Sequence, residues 1–226
     1  MTATLHALDY AALPETELVA LAKAGRGEAF AALMTRGNQR LFRIARSIVR
    51  DEGEAEDVLQ EAYVRAFAKL GDFRGEASIY TWLTRIVINE AHGRLRRRRD
   101  TVELSEVEVA QGDPGQVLMF PGVSDDPERD AARAEARRLL ERAVDALPEA
   151  FRLVFVMREV EGASIAETAQ ALGVRPETVK TRLHRARRLL RQALDAQLAS
   201  ALTGAFPFLG ARCERITAAV LARLGL

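Results

Sequence analysis

The sequence contains a single cysteine, Cys213, and no group of Cys and His residues at the spacing of a zinc site. It cannot form an internal disulfide bond, and a buried or unreactive thiol in a reducing compartment is the simplest interpretation. Aromatic residues make up only 6% of the chain, whereas Ala, Leu, Arg and Glu are abundant and β-branched runs are short. This composition disfavours β-sheets and predicts an all-α fold.

Signals for membranes, secretion and catalysis are also missing. No apolar run approaches the roughly 18–20 residues that a membrane-spanning helix needs. Residues 1–9 show no basic stretch followed by an apolar core, so we expect no signal peptide and a soluble, cytoplasmic protein. Phosphate-binding loops, dinucleotide fingerprints and hydrolase or zinc-protease motifs are absent. We therefore expect no catalytic residues, no metal site and no cofactor.

The formal net charge is only +1, but the charge is distributed unevenly along the chain. Residues 94–99 include five arginines, and residues 175–191 carry seven basic side chains against one acid. Between them, residues 100–135 carry ten acids against two arginines. Two basic segments separated by an acidic connector indicate two separate contacts with nucleic acid.

The same patterns divide the chain into five parts. Helical periodicity over residues 28–99 and 136–198 predicts two small helical domains. Residues 100–135 are rich in acids, Pro and Gly and predict a flexible linker between them. An N-terminal segment, 1–27, and a C-terminal extension, 199–226, complete the chain.

In the first domain, residues 29–49 have apolar side chains at helical spacing, with a predicted break at Gly37-Asn38. Residues 54–70 form a second amphipathic helix with a polar, acidic face. Taken alone, such a face is most simply a solvated surface. Its functional alternative is a docking surface for a basic partner helix, formed by Glu54, Asp57, Gln60 and Glu61.

A third helix is predicted over residues 78–99, and beside its core stripe runs an unusual polar row. The row consists of Trp82, Arg85, Asn89, His92 and Arg96. An aromatic ring followed by hydrogen-bonding and basic groups is typical of surfaces that bind single-stranded nucleic acid. The preceding loop, Phe73-Arg74-Gly75, could frame an extruded base. Core packing remains an equal alternative for Trp82 considered alone.

The second domain contains a predicted helix-turn-helix. A capping box, Ser164 with Glu167, begins a helix that Gly173 ends. A second helix begins at Pro176 and extends to about Leu194. Its exposed face suits readout of base edges in the major groove, and its members are Glu177, Thr181, His184, Arg185 and Arg188.

These segments resemble the extracytoplasmic-function (ECF) group of sigma-70 factors, the promoter-specificity subunits of bacterial RNA polymerase. Residues 51–61 (DEGEAEDVLQE) are similar to the polymerase-binding segment of region two. Residues 73–89 (FRGEASIYTWLTRIVIN) resemble the segment that melts and recognises the minus-ten element. Residues 147–151 (LPEAF) and 178–187 (TVKTRLHRAR) are similar to region four, which reads the minus-thirty-five element.

The resemblance implies a transcription initiation factor that is not an enzyme, that binds core RNA polymerase and promoter DNA, and that an anti-sigma factor controls. The residues that it implies for polymerase docking are Asp57, Gln60 and Glu61. Those implied for the melted minus-ten element are Phe73, Arg74, Tyr80, Trp82, Arg85, Asn89, Arg96, Arg97, Arg98 and Arg99. Those implied for the duplex minus-thirty-five element are Arg175, Thr178, Lys180, Thr181, His184, Arg185 and Arg188.

Two features depart from the family pattern. Arg175 stands at the N-cap of the second helix of the helix-turn-helix and lacks a capping oxygen, which leaves base preference at that edge open. The extension after Leu198 lies outside the resemblance. We hypothesise that its apolar side chains dock on the protein itself or on a regulator, and these are Phe206, Phe208, Ile216, Val220 and Leu224.

The alternative function is a one-component DNA-binding regulator whose N-terminal helices act as sensor or dimeriser. Such a protein would bind duplex DNA tightly without polymerase, and it has no need of the polar row from Trp82 to Arg96. The sequence leaves open whether the acidic and basic surfaces of one chain pack its two domains together in the free protein.

Overall fold

A computed structural model describes residues 9–104, 127–203 and 211–224, and over these ranges the chain is helical without β-strands. The helices in the described ranges are α1 (Glu15–Lys23), α2 (Gly27–Val49), α3 (Glu52–Ala68), α4 (Ile79–Leu104), α5 (Pro127–Asp145), α6 (Glu149–Phe155), α7 (Ile165–Leu172), α8 (Pro176–Thr203) and α9 (Ala211–Leu224). The all-α prediction is therefore confirmed.

The first domain consists of α1 to α4, with α2, α3 and α4 packed on one another. The predicted break at Gly37-Asn38 is wrong, because α2 is continuous from Gly27 to Val49. Gly37 instead lies where α2 packs against Tyr80 of α4. A Cβ added there would lie 2.9 Å from Cε1 of the Tyr80 ring. Glycine often marks the end of a helix, but here the absence of a side chain makes room for the Tyr80 ring.

The turns around α3 are determined by local hydrogen bonds. The Asp51 side chain caps α3 by accepting a hydrogen bond from the Glu54 N–H at 2.8 Å. A single 3₁₀ turn, Leu70–Asp72, follows α3 and leads into the extended residue Phe73. Gly75 then adopts a φ of 74°, a conformation that favours glycine. These turns bring Phe73 against the beginning of α4.

The second domain consists of α5 to α8. Helix α6 continues into a π-helical turn, Val156–Val160, and the capping box of Ser164 and Glu167 begins α7 as predicted. Gly173 ends α7 with a φ of 64°, and α8 then begins at Pro176 and extends beyond the predicted end near Leu194. Two clusters of buried residues form its core, one around Leu147 and Leu190 and the other around Val179 and Leu183.

The predicted linker, 100–135, is helical at both ends, because α4 continues to Leu104 and α5 begins at Pro127. Proline suits the first turn of a helix, and the Ala, Glu and Arg residues that follow it are strong helix formers. The boundaries of the linker at residues 100 and 135 stay a prediction. Residues 105–126 lie outside the described residues.

The two helical domains pack against each other. Helix α2 contacts α6 and the π-turn, and α4 contacts α7. Leu153, Met157 and Ala171 of the second domain belong to the same cluster of buried residues as the core of the first domain. The two domains therefore share a continuous apolar contact in this structure.

The C-terminal extension is described only in part. Phe206 and Phe208 lie outside the described residues. On α9, Ile216, Val220 and Leu224 are exposed, by 49%, 49% and 65%. These three side chains are not packed against the residues that the structure describes, and their docking on the protein itself or on a regulator stays a hypothesis.

Candidate nucleic-acid interface

The predicted docking residues Asp57, Gln60 and Glu61 are all exposed on α3. They line an open cleft of about 490 Å³ between α3 and α4. Asp57 Oδ2 accepts a hydrogen bond from Arg94 Nη2 at 2.7 Å, and Glu61 Oε1 accepts one from Arg65 Nε at 3.0 Å. Arg94 also donates to Glu54, and this hydrogen bond is the largest cause that raises the pKa of Arg94 above its ordinary value. Two of the three docking candidates are thus paired with arginines that a basic partner could displace.

Glu90 lies at the base of this cleft and was missed by sequence reasoning. It is only 3% exposed, and its Oε1 accepts a hydrogen bond from Arg97 Nη2 at 2.9 Å. Its Oε2 lies 2.6 Å from Arg65 Nη1 in an ion pair that lacks hydrogen-bond geometry. A buried carboxylate needs such partners. The sequence does hold one signal for this residue. Glu90 is an acid one helical turn before Arg94, beside the apolar stripe of α4.

A second, smaller cavity of about 160 Å³ lies at the beginning of α4. Its rim includes Phe73, Arg74, Trp82 and Arg85, four of the residues predicted to bind the minus-ten element. The Phe73 and Trp82 rings lie 5.5 Å apart between centroids, at an interplanar angle of 54°. Trp82 is half-buried, so it both packs on the protein and faces the cavity. An aromatic wall beside two guanidinium groups can stack a base and pair with its phosphate.

The side chain of Lys23 holds Phe73 in place from the other side. Its Nζ donates a hydrogen bond to the Phe73 carbonyl at 2.5 Å and lies 5.7 Å from the centroid of the Phe73 ring. The ammonium group therefore supports the loop and adds positive charge beside the cavity.

The structure does not bring Tyr80 to this cavity. Its ring packs against Gly37, and its hydroxyl donates a hydrogen bond to the Leu33 carbonyl at 3.4 Å. Burial, followed by the charge of Glu15, raises the pKa of Tyr80 above its ordinary value. Tyr80 and Trp82 are two residues apart on a helix, so their side chains point in different directions.

The other residues of the α4 polar row, together with the arginines that follow it at 97–99, divide into two groups. Arg85, Asn89, Arg96, Arg97 and Arg98 are exposed, and the side chain of Arg99 lies outside the described residues. His92 is different, because its Nε2 lies 2.8 Å from Oε1 of Glu149 on α6. The centre of the row is therefore in contact with the second domain.

In helix α8 the side chains that face the core are those that its apolar pattern predicts. Val179, Leu183, Ala186 and Leu190 are buried on the inner side. The residues predicted for the minus-thirty-five element lie on the other side, where Thr178 is half-buried and the rest are exposed, namely Arg175, Lys180, Thr181, His184, Arg185 and Arg188. This arrangement presents donors along one accessible helix face, as insertion into a major groove requires.

Within the described residues, no group of three or more His, Cys, Asp or Glu side chains could hold a metal ion. None of the helices described is both long enough and apolar enough to span a membrane.

Comparison with known proteins identifies both domains. The family model for sigma-70 region 2 matches residues 33–101, and the model for sigma-70 region 4 matches residues 137–190. The RNA polymerase sigma-H factor of Pseudomonas aeruginosa is 33% identical over 192 residues, which cover 83% of this chain and 97% of that protein. The ECF RNA polymerase sigma factor SigM of Mycobacterium tuberculosis is 36% identical over 182 residues, covering 80% and 84%.

Among solved structures, CnrH in complex with the cytosolic domain of CnrY is similar to this chain. The TM-score is 0.57 at 28% sequence identity, and the match covers 80% of this chain and 97% of that one.

Proposed function

The chain belongs to the ECF group of the sigma-70 family, and from this we propose that it binds core RNA polymerase and directs it to two-element promoters. The observation that supports this most is that the two domains carry different kinds of surface. The first carries an acidic cleft and an aromatic cavity, and the second carries an exposed basic helix face. A one-component regulator would need only the last of these.

In this proposal the cleft between α3 and α4 docks on the polymerase. Asp57 and Glu61 exchange their internal partners, Arg94 and Arg65, for basic groups of the polymerase, while Gln60 adds hydrogen bonds. Since exposed ion pairs contribute little net stability, about 0–1 kcal/mol each, the exchange costs the protein little. Val64, which is 66% exposed on the cleft wall, supplies apolar contact.

The cavity beside Trp82 captures a base of the melted minus-ten strand. Unstacking a base costs a few kcal/mol. Stacking on an aromatic side chain recovers about 1–3 kcal/mol per base, and contacts from Arg85 and Asn89 to the strand add to it. Arg96, Arg97 and Arg98 continue along α4 and bind the backbone phosphates.

Helix α8 reads the duplex minus-thirty-five element. Lys180, Thr181, His184 and Arg185 lie in its N-terminal half and face base edges, whereas the later Arg188 is placed for a phosphate. The protein has no catalytic role of its own, works in the cytoplasm, and is held inactive by an anti-sigma factor.

The test mixes the purified protein with bacterial core RNA polymerase and a genomic promoter pool, and then sequences the 5′ ends of the transcripts. We expect initiation at sites that share two sequence elements, and its loss in Trp82→Ala and Lys180→Ala. Arg133→Ala, which removes an exposed cation from α5, is the control and should leave the start sites unchanged. Absence of initiation, with tight duplex binding by the protein alone, would favour the one-component regulator.

A further inference from the structure

The loop that precedes α4, residues 73–78, is held at its first residue by α1. Lys23, in the last turn of α1, donates a hydrogen bond from Nζ to the Phe73 carbonyl at 2.5 Å. The same Nζ lies 5.7 Å from the centroid of the Phe73 ring, within the range of a cation–π interaction. One exposed side chain therefore holds both the backbone and the ring of Phe73.

The other end of α1 holds the end of the loop. Glu15, the first residue of α1, accepts a hydrogen bond at Oε1 from the N–H of Ile79, 2.8 Å away. Ile79 begins α4, and its N–H is one of the four that a helix cannot satisfy itself. Ser78 satisfies another of these groups, because its hydroxyl accepts a hydrogen bond from the Thr81 N–H at 3.1 Å. The Glu15 carboxylate also complements the positive end of the α4 dipole.

Helix α1 has a fixed position on the first domain. Its apolar side is buried in the domain core through Leu18 and Ala22. The segment ahead of it is fastened to α2 by Arg36, which donates hydrogen bonds of 2.7 and 2.8 Å to the carbonyls of Ala11 and Leu13. Because α1 cannot shift without breaking these contacts, its two polar ends are rigid anchors for the loop.

The anchored loop forms one wall of the cavity assigned to the melted strand. Residues 72–77 line this cavity of about 160 Å³ together with Trp82 and Arg85 of α4. Trp82 and Arg85 are positioned by the α4 backbone, whereas residues 73–78 form no regular secondary structure. The position of the Phe73 ring, 5.5 Å from the Trp82 ring between centroids, therefore depends on the contacts that α1 makes with the loop.

The two charges of α1 also have a simpler explanation. An acid in the first turn and a base in the last turn stabilise a helix through its dipole, whatever the helix contacts. The structure adds that both side chains reach the same loop. Glu15 and Lys23 are separated by about 12 Å along the α1 axis and by about 80° around it, so they share one side of the helix. The match to region 2 begins at residue 33, so α1 lies outside it.

We propose that α1 is a positioning element for base capture, in which Lys23 and Glu15 hold the two ends of the 73–78 loop so that the Phe73 wall of the cavity fits the captured base. Neither residue needs to touch DNA, since both act through the loop. The proposal rests on the proposed function, because it takes the cavity as the site of a base from the melted minus-ten strand. Loss of Lys23 should weaken recognition of that one base and leave the other promoter contacts intact.

The test uses the holoenzyme and labelled non-template minus-ten single strands of a promoter found in the initiation assay. Each base of the strand is replaced in turn by an abasic site, and the captured base is the one whose loss weakens binding most. Lys23→Met keeps the apolar stem of the side chain and removes the ammonium group, whereas Lys23→Arg keeps a cationic donor. Lys69→Met is the matched control, because Lys69 is likewise an exposed lysine at a helix end.

In the unmodified holoenzyme, the abasic site at the captured position should weaken binding by about tenfold or more, as loss of a stacked base does. In Lys23→Met this penalty should fall to about threefold or less, with the penalties at other positions unchanged. Lys23→Arg should restore the full penalty, and Lys69→Met should retain it. Glu15→Ala should behave like Lys23→Met because it releases the other end of the loop, whereas Glu17→Ala, at an exposed acid of the same helix, should not.

Salt dependence separates positioning from a direct phosphate contact. A phosphate contact at Lys23 would strengthen binding to every strand alike, and its loss would reduce the slope of log affinity against log salt by about 0.7. We expect Lys23→Met to leave this slope unchanged. A reduced slope, or an abasic penalty in Lys23→Met equal to that of the unmodified holoenzyme, would overturn the proposal.

The proposed function and the role of α1 would fail in different ways. An unmodified holoenzyme that neither initiates nor shows a position-specific abasic penalty overturns the proposed function, and the role of α1 with it. An unmodified holoenzyme that shows the penalty, when Lys23→Met and Glu15→Ala both retain it, overturns only the role of α1.

Discussion

Arg152 of α6 donates a hydrogen bond to the carbonyl of Ser47 at the end of α2, 105 positions away in the sequence. The two residues belong to different domains, one matching region 4 and the other region 2 of the sigma-70 family. Because Arg152 is buried, this contact contributes to the packing of the two domains and to the stability of the chain.

Arg152→Ala should lower the free energy of unfolding by at least about 1–3 kcal/mol, the cost of leaving buried hydrogen-bond acceptors without their donor. The substitution leaves the carbonyls of Ser47, Asp145 and Leu147 without this donor. Chemical denaturation followed by circular dichroism measures the change. Arg133→Ala, on the exposed side of α5, should change stability by less than about 0.5 kcal/mol; an equal loss in both variants would contradict the assignment.

Two glycines inside helices should respond to alanine in opposite directions. Gly37→Ala places a Cβ 2.9 Å from the Tyr80 ring and should destabilise the protein by about 1–3 kcal/mol. In Gly93→Ala the new Cβ meets only the end of the Arg96 side chain, at 3.7 Å, so higher helix propensity should stabilise by about 0.5–1 kcal/mol. Thermal melts of the two variants decide this, and a stabilised Gly37→Ala would show that the α2–α4 approach is wrong.

The capping box of α7 should make stability depend on acid pH. Hydrogen bonds from Ser164, first from its backbone, lower the pKa of Glu167 below the ordinary 4.5. A carboxyl group whose pKa is lower in the folded state stabilises the fold above the unfolded pKa, and this stabilisation is lost as pH falls through the folded value. Glu167→Gln should therefore be less stable than the unmodified protein at pH 7, and the two should converge only when the pH falls below the lowered pKa of Glu167 in the folded state. A difference independent of pH, in urea titrations at several pH values, would contradict the pairing.

Two basic residues of α8 should have different effects on DNA recognition. Arg188→Ala should weaken binding to all minus-thirty-five sequences alike and reduce the slope of log affinity against log salt by about 1, as loss of one phosphate contact does. Lys180→Ala should instead relax the preference at one base position. Selection from a randomised minus-thirty-five library with the holoenzyme separates the two. The assignment fails if Arg188→Ala alters the selected sequence.

The parts of this structure that the sequence predicts are those that depend on local pattern. The phase of α8 follows from apolar side chains at helical spacing, and the α7 capping box follows from two residues three positions apart. Gly37 misled the prediction because its role is set by Tyr80, 43 positions away, as the contact distance shows. No local signal reveals such a partner.

The same reason accounts for the site residues that sequence reasoning misplaced or missed. Tyr80 is itself one of the residues predicted to bind the minus-ten element, but its side chain packs on α2 and its hydroxyl donates a hydrogen bond to the Leu33 carbonyl. Glu90 and His92 depend on partners in α3 and α6. The hydrogen bond from Arg152 to the Ser47 carbonyl forms only when both domains are folded and packed together. Hydrophobic periodicity and helix propensity are local properties of the sequence, so they do not predict this contact.

The most direct test of the sigma-factor account is permanganate footprinting of the holoenzyme on one of its promoters, combined with protection of the minus-thirty-five duplex. We predict that Trp82→Ala abolishes thymine reactivity at the minus-ten element and retains minus-thirty-five protection. Lys180→Ala should instead weaken protection of the minus-thirty-five duplex. Thymine reactivity in Trp82→Ala equal to that of the unmodified protein would contradict the assignment of the α4 cavity to the melted strand.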